Sequence, residues 1–403
     1  MASPQATYSD KVLSDTKDFS LVLGGPLYQL SRRAHLSDDA LGMLRRRLTA
    51  ITLLAWPPLL LLCALDHKLL DKDLAVPFLL DLETHIRFLI VVPLLIVAEY
   101  VMHVRMLPVA RTFLDRKLVP ENAVPRFDAA VVSAFRLRDS VLAELVLLLI
   151  VYGVGVMIIW HKYTILDANT WYATRSAAGE RLSLAGVWYG LVSLPLFQFL
   201  LLRWYWRIFI WTRFLWQVSR IQLTLVPTHP DFLGGLGFLA NTADAFAVLL
   251  VAHGAMLAGL IASRVFFLGA TLPEFKALIG IFLVYLLLIV CGPLLLFSPQ
   301  LARAKRAGLR EYGTFAERYV REFDTKWLRG GVRTDEALLG NADIQSLADM
   351  GNSFAAVRSM RLWPVSRDAL ILLGASILMP ILPLVLTMMP LEQLLRKLVG
   401  LVL

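Results

Sequence analysis

The sequence predicts an all-α, polytopic membrane protein with about seven transmembrane helices, a cytoplasmic N-terminus and an extracytoplasmic C-terminus. Hydrophobic residues make up 58% of the 403 residues and charged residues only 18%, whereas a soluble domain is roughly half apolar and about a quarter charged. The apolar residues cluster in runs that approach the length of about 20 residues needed to cross a bilayer. The loops between these runs are alternately rich and poor in Lys and Arg, as they are in proteins that cross a membrane repeatedly.

Seven apolar runs are the predicted spans. The fourth, sixth and seventh runs contain no charged residue, whereas the second run is short and carries Glu99. In chain order, the predicted spans are Leu48–Leu65, Phe88–Met102, Val141–Trp160, Leu182–Leu202, Ala245–Ser263, Ala277–Ala302 and Ala369–Leu391.

The distribution of basic residues predicts the orientation. With the N-terminus inside, the cytoplasmic segments hold 29 of the 40 Lys and Arg residues, and the opposite side holds 10. Such an excess is typical of cytoplasmic loops. It accounts for the net charge of +9, so no nucleic-acid partner is expected.

The spans divide the chain into five segments. They are a cytoplasmic N-terminal segment (1–47), transmembrane helices one to six (48–300) with a cytoplasmic extension of helix four (203–226), a cytoplasmic helical platform (301–367), transmembrane helix seven (368–390) and an interfacial amphipathic tail (391–403).

The sixth helix is predicted to continue into the cytoplasm as far as Arg329. Aromatic residues recur along it at every fourth position and form an apolar stripe, which needs a packing partner. We expect that partner to be the extension of the fourth helix or another subunit. A further helix, Asp343–Leu362, is expected before Pro364. The stripe consists of Phe315, Tyr319, Phe323 and Trp327.

A loop rich in Pro and Gly precedes the fifth span. Its prolines fix φ and its glycines permit positive φ, so His229 and Asp231 are held on a sharply shaped turn. One interpretation is a ligand-contacting loop in which Gly234, Gly235 and Gly237 offer N–H groups to an anion. The other is a structural turn in which Asp231 caps backbone amides.

Ionisable residues inside spans are functional candidates. Glu99 and His103 lie one turn apart in the second span, and Glu144 lies at the matching depth in the third, so a cluster of these three is possible. His253 lies near the middle of the fifth span. It is expected either to relay protons or to make one hydrogen bond to a neighbouring helix.

The last span carries small and polar residues at helical spacing. Proline frees backbone carbonyls, which in a bilayer must face protein or water. The stripe therefore suits either the wall of a pore or close packing against another helix. Its members are the pore-lining candidates Ser376, Pro380, Pro383 and Thr387.

Other classes of site find little support in the sequence. The two cysteines, Cys63 and Cys291, both fall inside apolar runs, so neither a disulfide framework nor a thiolate metal site is expected. None of the common hydrolase, zinc-protease, redox or dinucleotide-binding motifs occurs. We therefore expect no catalytic residues, no metal and no cofactor.

Two segments resemble those of known proteins. Pro227–Leu239, with its His-Pro-Asp-x-x-Gly-Gly-Leu-Gly core, and Asn341–Arg361 resemble segments of uncharacterised bacterial integral membrane proteins. This resemblance implies the inner (cytoplasmic) membrane of a bacterium as the location and implies no activity. In layout alone the chain is similar to the seven-helix cation channels of the insect odorant-receptor type, which implies an oligomer with its last helix along the pore.

The leading functional hypothesis is a homo-oligomeric channel for ions or small solutes, lined by the last helix. It follows from the aromatic stripe without a partner, the Pro/Ser/Thr stripe and the lack of the paired charges expected in a coupled transporter. One alternative is a regulatory or scaffold protein that binds a cytoplasmic protein partner. A second is a membrane-embedded enzyme that uses His229 and Asp231. The expected partners are the lipid bilayer and further copies of the chain.

Overall fold

The computed structural model of the chain describes residues 19–22, 24, 44–165, 170–176, 179–330 and 341–388. The predicted tail (391–403) and most of the N-terminal segment lie outside these residues. Apart from one two-stranded hairpin, the regular elements of the described residues are helical. The predicted all-α, polytopic fold class is thereby confirmed.

Six helical stretches are long and apolar enough to cross a membrane, and a further helix, Val141–Ile165, is apolar at least over Val141–Gly153. We number these seven spans in chain order. The second span starts six residues before the predicted one, and the helical stretch of the sixth span continues to Leu328, one residue short of the predicted Arg329. The bounds of the six are Leu44–Leu65, Leu82–Asp115, Leu184–Ser219, Leu236–Leu268, Leu272–Leu328 and Arg367–Thr387.

The spans consist of shorter elements that are joined end to end. The helices are α1 (Leu44–Ala55), α2 (Pro57–Leu65), α3 (Leu82–Ile86), α4 (Val92–Met106), α5 (Val109–Asp115), α6 (Val124–Arg138), α7 (Val141–Ile165), α8 (Leu184–Trp188), α9 (Leu194–Ser219), α10 (Ala240–Ala243), α11 (Ala247–Leu268), α12 (Lys276–Cys291), α13 (Ser298–Phe323), α14 (Ala342–Ser359) and α15 (Arg367–Leu378). The antiparallel strands are β1 (Ala173–Ser176) and β2 (Gly179–Leu182).

Prolines account for two wide helical turns inside the spans. The second span is π-helical over Arg87–Val91 and the fourth over Tyr189–Ser193. Pro93 and Pro195 follow these segments and have no N–H to donate to the carbonyl four residues earlier. That carbonyl falls inside the π-helical segment in both cases, and the wider turn replaces the missing hydrogen bond with one that spans five residues.

The fifth span lies at the centre of the bundle. In its apolar window 72% of the residues are buried, against 17–44% in the other five long spans. Small residues allow neighbouring helices to approach it closely. A Cβ placed on Gly254 would lie 2.2 Å from the carbonyl oxygen of Ile377 in the seventh span. Gly259 likewise faces Ile86 of the second span.

The structure brings together segments that the charge distribution assigns to the same side. Phe19 packs on Phe135 of α6 and on Phe214 of α9. We call this end of the bundle the inner end, because it is the predicted cytoplasmic end, and the opposite end the outer end. The extension of the fourth span does not protrude, because α6 covers it and Trp211 and Phe214 are fully buried.

Gln300 joins the sixth span to the end of the fourth. Its side-chain amide donates to the carbonyl oxygens of Ser219 (2.6 Å) and Ile221 (2.8 Å) and accepts from the N–H of Leu223 (3.3 Å). These bonds satisfy backbone groups that the end of α9 leaves without helical partners. The start of α13 is therefore fixed relative to α9.

Helices α13 and α14 form an antiparallel hairpin at the inner end. Lys326 and Trp327 both contact the carboxylate of Asp343, at 2.7 and 3.0 Å, and Tyr319 donates to the Asp343 carbonyl oxygen. Two residues of the predicted aromatic stripe, Tyr319 and Trp327, thus pack on α14 of the same chain. The sequence analysis expected the extension of the fourth helix or another subunit as the partner instead. Phe315 remains 55% exposed.

The hairpin returns to the bundle earlier than predicted. Helix α14 ends at Ser359, because the N–H of Arg361 leaves the helix and donates to the carbonyl oxygen of Phe232 (2.7 Å) in the Pro/Gly loop. Lys305 also donates to the carbonyl oxygen of Met360 (2.8 Å). A tertiary contact, rather than Pro364, sets the end of this helix.

The close contact at Gly254 gives a test of the packing of the fifth span. Gly254→Ala places a methyl group against the Ile377 carbonyl, and we expect the free energy of unfolding to fall by roughly 1–3 kcal/mol. The matched control is Gly280→Ala on α12, where a Cβ meets nothing within 4 Å. Unfolding of both variants in bicelles measures the difference. Equal stability of the two variants would contradict the assigned helix–helix contact.

Candidate functional site

Five charged side chains form a cluster at the inner end of the bundle, with Glu99 at its centre. The Glu99 carboxylate contacts Arg47 of the first span at 2.6 Å and Arg207 of the fourth at 2.7 Å. Arg203 lies 3.9 Å from both Glu99 and Glu144. Four of the five residues are buried, and the Glu144 side chain is 13% exposed. We call these residues the charge cluster.

The sequence of the fourth span explains this arrangement. Arg203 and Arg207 are one helical turn apart and so project from one face of α9. Trp204 lies between them, donates from its ring nitrogen to the carbonyl oxygen of Leu95 (3.0 Å), and packs against the Arg207 guanidinium. Removing one partner from a buried ion pair costs roughly 3–5 kcal/mol, because it leaves a buried charge uncompensated. The cluster therefore ties spans one, two and four together.

The predicted grouping of Glu99, His103 and Glu144 differs from the observed one. Arg203 joins Glu99 to Glu144, whereas His103 Nδ1 lies 2.8 Å from Ser20 Oγ near the N-terminal segment. The sequence placed the two carboxylates at the correct depth but did not assign the arginines as their partners.

His253 makes two hydrogen bonds within the bundle. Its Nδ1 lies 2.8 Å from the carbonyl oxygen of Leu249, and its Nε2 lies 2.9 Å from the hydroxyl of Tyr205 on the fourth span. A neutral ring that donates from Nδ1 and accepts at Nε2 satisfies both nitrogens. The interhelical bond that the sequence suggested is present, and proton relay stays a prediction.

A second charged site, which the sequence analysis did not single out, lies at the outer end. Arg87 forms an ion pair with Glu83 on the preceding turn and donates to the hydroxyl of Tyr189 at 2.7 Å. Arg87 and Tyr189 are the first residues of the two π-helical segments. The two irregular turns of spans two and four therefore meet at one hydrogen bond. Such wide turns occur frequently at functional sites.

Arg87 also forms part of the wall of a partly open crevice with a volume of about 190 Å³. The remaining wall is apolar and comes from the fifth and sixth spans. We call it the Arg87 crevice. Its lining residues are Glu83, Arg87, Met256, Leu257, Leu260 and Phe282.

An aromatic and polar layer supports Arg87 from the outer side. The Asp81 carboxylate accepts from the ring nitrogen of Trp171 (2.9 Å) and from the hydroxyl of Thr84 (2.8 Å). Trp171 and Tyr172, which precede β1, pack against Tyr189. This layer holds Tyr189 in place, so the position of Arg87 is set by several contacts.

A sequence signal for the Arg87 site exists but is weak. Glu83 and Arg87 are spaced four residues apart immediately before an apolar run, which fits an ion pair on one helix face. By its charge alone Arg87 is one of the 10 basic residues that flank the spans on the outer side, and its second partner lies 102 positions away in the chain.

In the Pro/Gly loop, backbone amides surround the Asp231 carboxylate. It accepts from the N–H groups of Leu233 (2.8 Å), Gly235 (3.2 Å) and Gly237 (2.8 Å). His229 Nδ1 lies 2.9 Å from the same carboxylate. Burial raises the pKa of Asp231, but these hydrogen bonds and His229 outweigh it, so the pKa lies below its ordinary value. Two of the three amides of the predicted anion site, those of Gly235 and Gly237, thus bind a side chain of the loop itself, and Leu233 rather than Gly234 supplies the third amide.

The loop also connects distant parts of the chain. Gly234 and Gly235 adopt positive φ (64° and 100°), as the sequence predicted for this turn. Arg116, directly after the second span, donates to the carbonyl oxygen of Gly235 (3.0 Å), and Arg361 after α14 donates to that of Asp231 (3.2 Å). These contacts favour the structural interpretation of the loop.

The four pore-lining candidates of the last span do not share one face. Ser376 is buried against the fifth span and donates to the Leu372 carbonyl oxygen (2.8 Å), Pro380 is half-buried, and Pro383 and Thr387 are exposed. The span changes from α-helix to 3₁₀-helix at Met379. With three residues per turn instead of 3.6, the stripe drawn for an α-helix no longer aligns.

Comparisons with known proteins return nothing for this chain: no family profile, curated protein or solved structure matches it. Among the described residues, no group of three or more His, Cys, Asp and Glu side chains could hold a metal ion.

Asp231→Asn tests the structural interpretation of the loop. Asparagine keeps one acceptor oxygen but turns an NH₂ group toward an amide, so we expect the free energy of unfolding at pH 7 to fall by about 1–3 kcal/mol. A depressed pKa contributes stability above the unfolded-state pKa of about 3.9, and this contribution is lost as the pH falls through the folded-state pKa. The difference from the wild type should therefore shrink in acid.

The matched control for this loop variant is Asp324→Asn, which breaks an exposed ion pair with Arg329 and should change stability little. Thermal unfolding in detergent between pH 3 and pH 7 measures both variants. An Asp231→Asn protein as stable as the wild type at pH 7 would contradict the structural interpretation.

Proposed function

We propose that this multi-pass membrane protein moves a small solute across the bilayer and binds it in the Arg87 crevice. The observation that carries the proposal is the position of Arg87: it forms part of the crevice wall, and it joins the two π-helical segments of spans two and four. The Arg87 side chain is only 15% exposed, and a largely buried charge within a membrane bundle is expensive and marks substrate paths in membrane proteins. Helices that are interrupted by non-α segments at the binding site are common in transporters.

The charge cluster supports the proposal from the other end of the same helices. Spans two and four meet at Arg87 and Tyr189 near the outer end and at Glu99 and Arg207 at the inner end. The crevice includes Arg87 near the outer end, whereas four residues of the charge cluster are buried at the inner end. An outward-facing carrier is open at its outer end and closed at its inner end, and this asymmetry supports such a state. When the inner end opens, the ion pairs of the charge cluster would separate.

The charge cluster also changes the argument for a channel. The lack of paired charges favoured a channel over a coupled transporter, but Glu99 pairs with arginines of two other spans. That part of the argument was wrong, because the partners lie 52 residues before and 108 residues after Glu99. Paired charges that can exchange partners are expected in a carrier.

A homo-oligomeric channel lined by the last span is the second candidate. Pro383 interrupts the last span and is exposed on its surface. Carbonyl oxygens that lack a helical donor in a bilayer need water or another protein surface. Such a partner could be a second copy of the chain. Binding of a cytoplasmic protein by the α13–α14 hairpin also stays a prediction, as does the bacterial inner membrane as the location.

The enzyme hypothesis has less support than either transport mechanism. The Asp231 carboxylate already accepts three amide hydrogen bonds and contacts His229. A structural role accounts for both residues, and no observation on this loop requires a reaction.

Cysteine accessibility separates a carrier from a channel without knowledge of the solute. Leu260→Cys, in a Cys63→Ala/Cys291→Ala background, places one thiol in the Arg87 crevice. In oriented vesicles we expect a membrane-impermeant maleimide to label it from the outer side. Glu99→Gln should slow this labelling several-fold, because a weakened charge cluster favours the inward-open state. Arg203→Gln is the milder variant should Glu99→Gln fail to fold, since Arg203 lies 3.9 Å from its carboxylates.

The control for the accessibility experiment is Glu317→Gln, which removes an exposed ion pair on α13 and should leave the labelling rate unchanged. Labelling of Leu260→Cys that does not respond to either change in the charge cluster would contradict a carrier. A thiol at Pro383 provides the channel comparison: it should react with the water-soluble reagent in a channel and stay protected where the last span faces lipid.

A further inference from the structure

We propose that the Arg87 crevice binds a zwitterion with an apolar side group, of which a free α-amino acid with an aliphatic side chain is the simplest example. This inference rests on the proposed function and names the class of solute. It follows from three properties of the crevice: adjacent groups of opposite charge, an electrically balanced wall, and an apolar remainder of limited size.

The first property is the pair of opposite charges side by side. The Arg87 guanidinium has five N–H donors, and its described hydrogen bonds go to Glu83 and Tyr189. The remaining donors of its planar fork suit a carboxylate. The described contact of Glu83 with Arg87 uses Oε1, which leaves Oε2 to accept from an ammonium group. Both recognition groups of an amino acid therefore have a partner on one turn of helix.

The second property is the charge balance of the crevice. Arg87 and Glu83 are its two charged lining residues, and their charges cancel. A ligand with a single charge would change the net charge beside this apolar wall, which is unfavourable. A zwitterion adds one charge of each sign, so the net charge of the site is the same when it is occupied and when it is empty. An exchange between these two states then requires little electrostatic energy.

The third property is the apolar wall. Met256, Leu257 and Leu260 of the fifth span and Phe282 of the sixth face the same space. Each methylene group that a ligand buries there is removed from water, which favours binding, so the wall favours an aliphatic or similar side group. A volume of about 190 Å³ is below that of a typical site for a drug-sized molecule, roughly 300 Å³ or more. The size therefore fits a small solute rather than a whole phospholipid.

The position of the crevice suits uptake or exchange from the outer side. The crevice is partly open, and Arg87 is anchored by Tyr189, which itself packs against Trp171 and Tyr172. A preorganised arginine binds a carboxylate without first losing side-chain freedom. The flexible Met256 and the aromatic Phe282 can adapt to side groups of different shape.

A matched set of ligands tests this inference. The full chain in lipid nanodiscs is titrated calorimetrically with L-leucine, with 4-methylpentanoate, which lacks the amino group, and with 3-methylbutylamine, which lacks the carboxylate. We expect L-leucine to bind roughly tenfold or more tightly than either singly charged analogue, since each analogue loses one charged hydrogen-bonding partner. Glu83→Gln should abolish most of the preference for L-leucine over 4-methylpentanoate.

Two further variants keep the test decisive. Leu260→Trp fills the crevice without a change of charge and should abolish binding of L-leucine, whereas Glu317→Gln should leave the affinity unchanged. The inference is overturned if 4-methylpentanoate binds as tightly as L-leucine, because the crevice would then take a simple carboxylate such as a fatty acid. It is also overturned if none of the three ligands binds.

The outcome can be separated from that of the proposed function. If no zwitterion binds while Glu99→Gln still slows the labelling of Leu260→Cys, the protein is a carrier for another class of solute. If both experiments fail, the proposed function fails as well.

Discussion

The buried carboxylate of Glu99 is the interaction on which the arrangement of the bundle depends. A lone arginine in the apolar interior of a membrane protein is unstable, and the fourth span contributes two, Arg203 and Arg207, one turn apart. They are compatible with burial because Glu99 meets them from the second span. Arg47 adds the first span to the same carboxylate. The rotation of three helices is thereby fixed at one point.

The same helices meet again at the outer end, where the contact is of a different kind. Arg87 and Tyr189 join two π-helical turns whose regular hydrogen bonding is interrupted by prolines. An irregular turn can change its hydrogen bonds more readily than a regular α-helix, whereas the charge cluster is held by close ion pairs. Spans two and four are thus held firmly at the inner end and contain adjustable turns near the crevice. This combination is the physical basis of the proposed carrier.

The sequence predicts the features that depend on local pattern and fails where distant residues meet. The spans, the continuation of the sixth helix and the positive φ of Gly234 and Gly235 all follow from composition and from the conformational limits of Gly and Pro. Arg87 escaped notice because its partner Tyr189 is far away in the chain. The partner of the aromatic stripe also could not be read from periodicity, since α14 was identified as a helix but not as its neighbour. The carboxylates Glu99 and Glu144 were identified by their depth alone, which is why their arginine partners were missed.

A double-mutant cycle on Glu99 and Arg207 tests the central claim most directly. The free energy of unfolding is measured in bicelles for the wild type, Glu99→Gln, Arg207→Gln and the double variant. We expect Glu99→Gln to lower stability by about 3–5 kcal/mol, because Glu144 is then the one carboxylate left in the charge cluster for its three arginines. Arg207→Gln should cost less, because Arg47 and Arg203 still face Glu99. Without Glu99 the Arg207 charge has lost its carboxylate, so the loss of stability in the double variant should be smaller than the sum of the two single losses by about 2 kcal/mol. Effects that add to within about 0.5 kcal/mol would show that Glu99 and Arg207 act independently and would contradict the account.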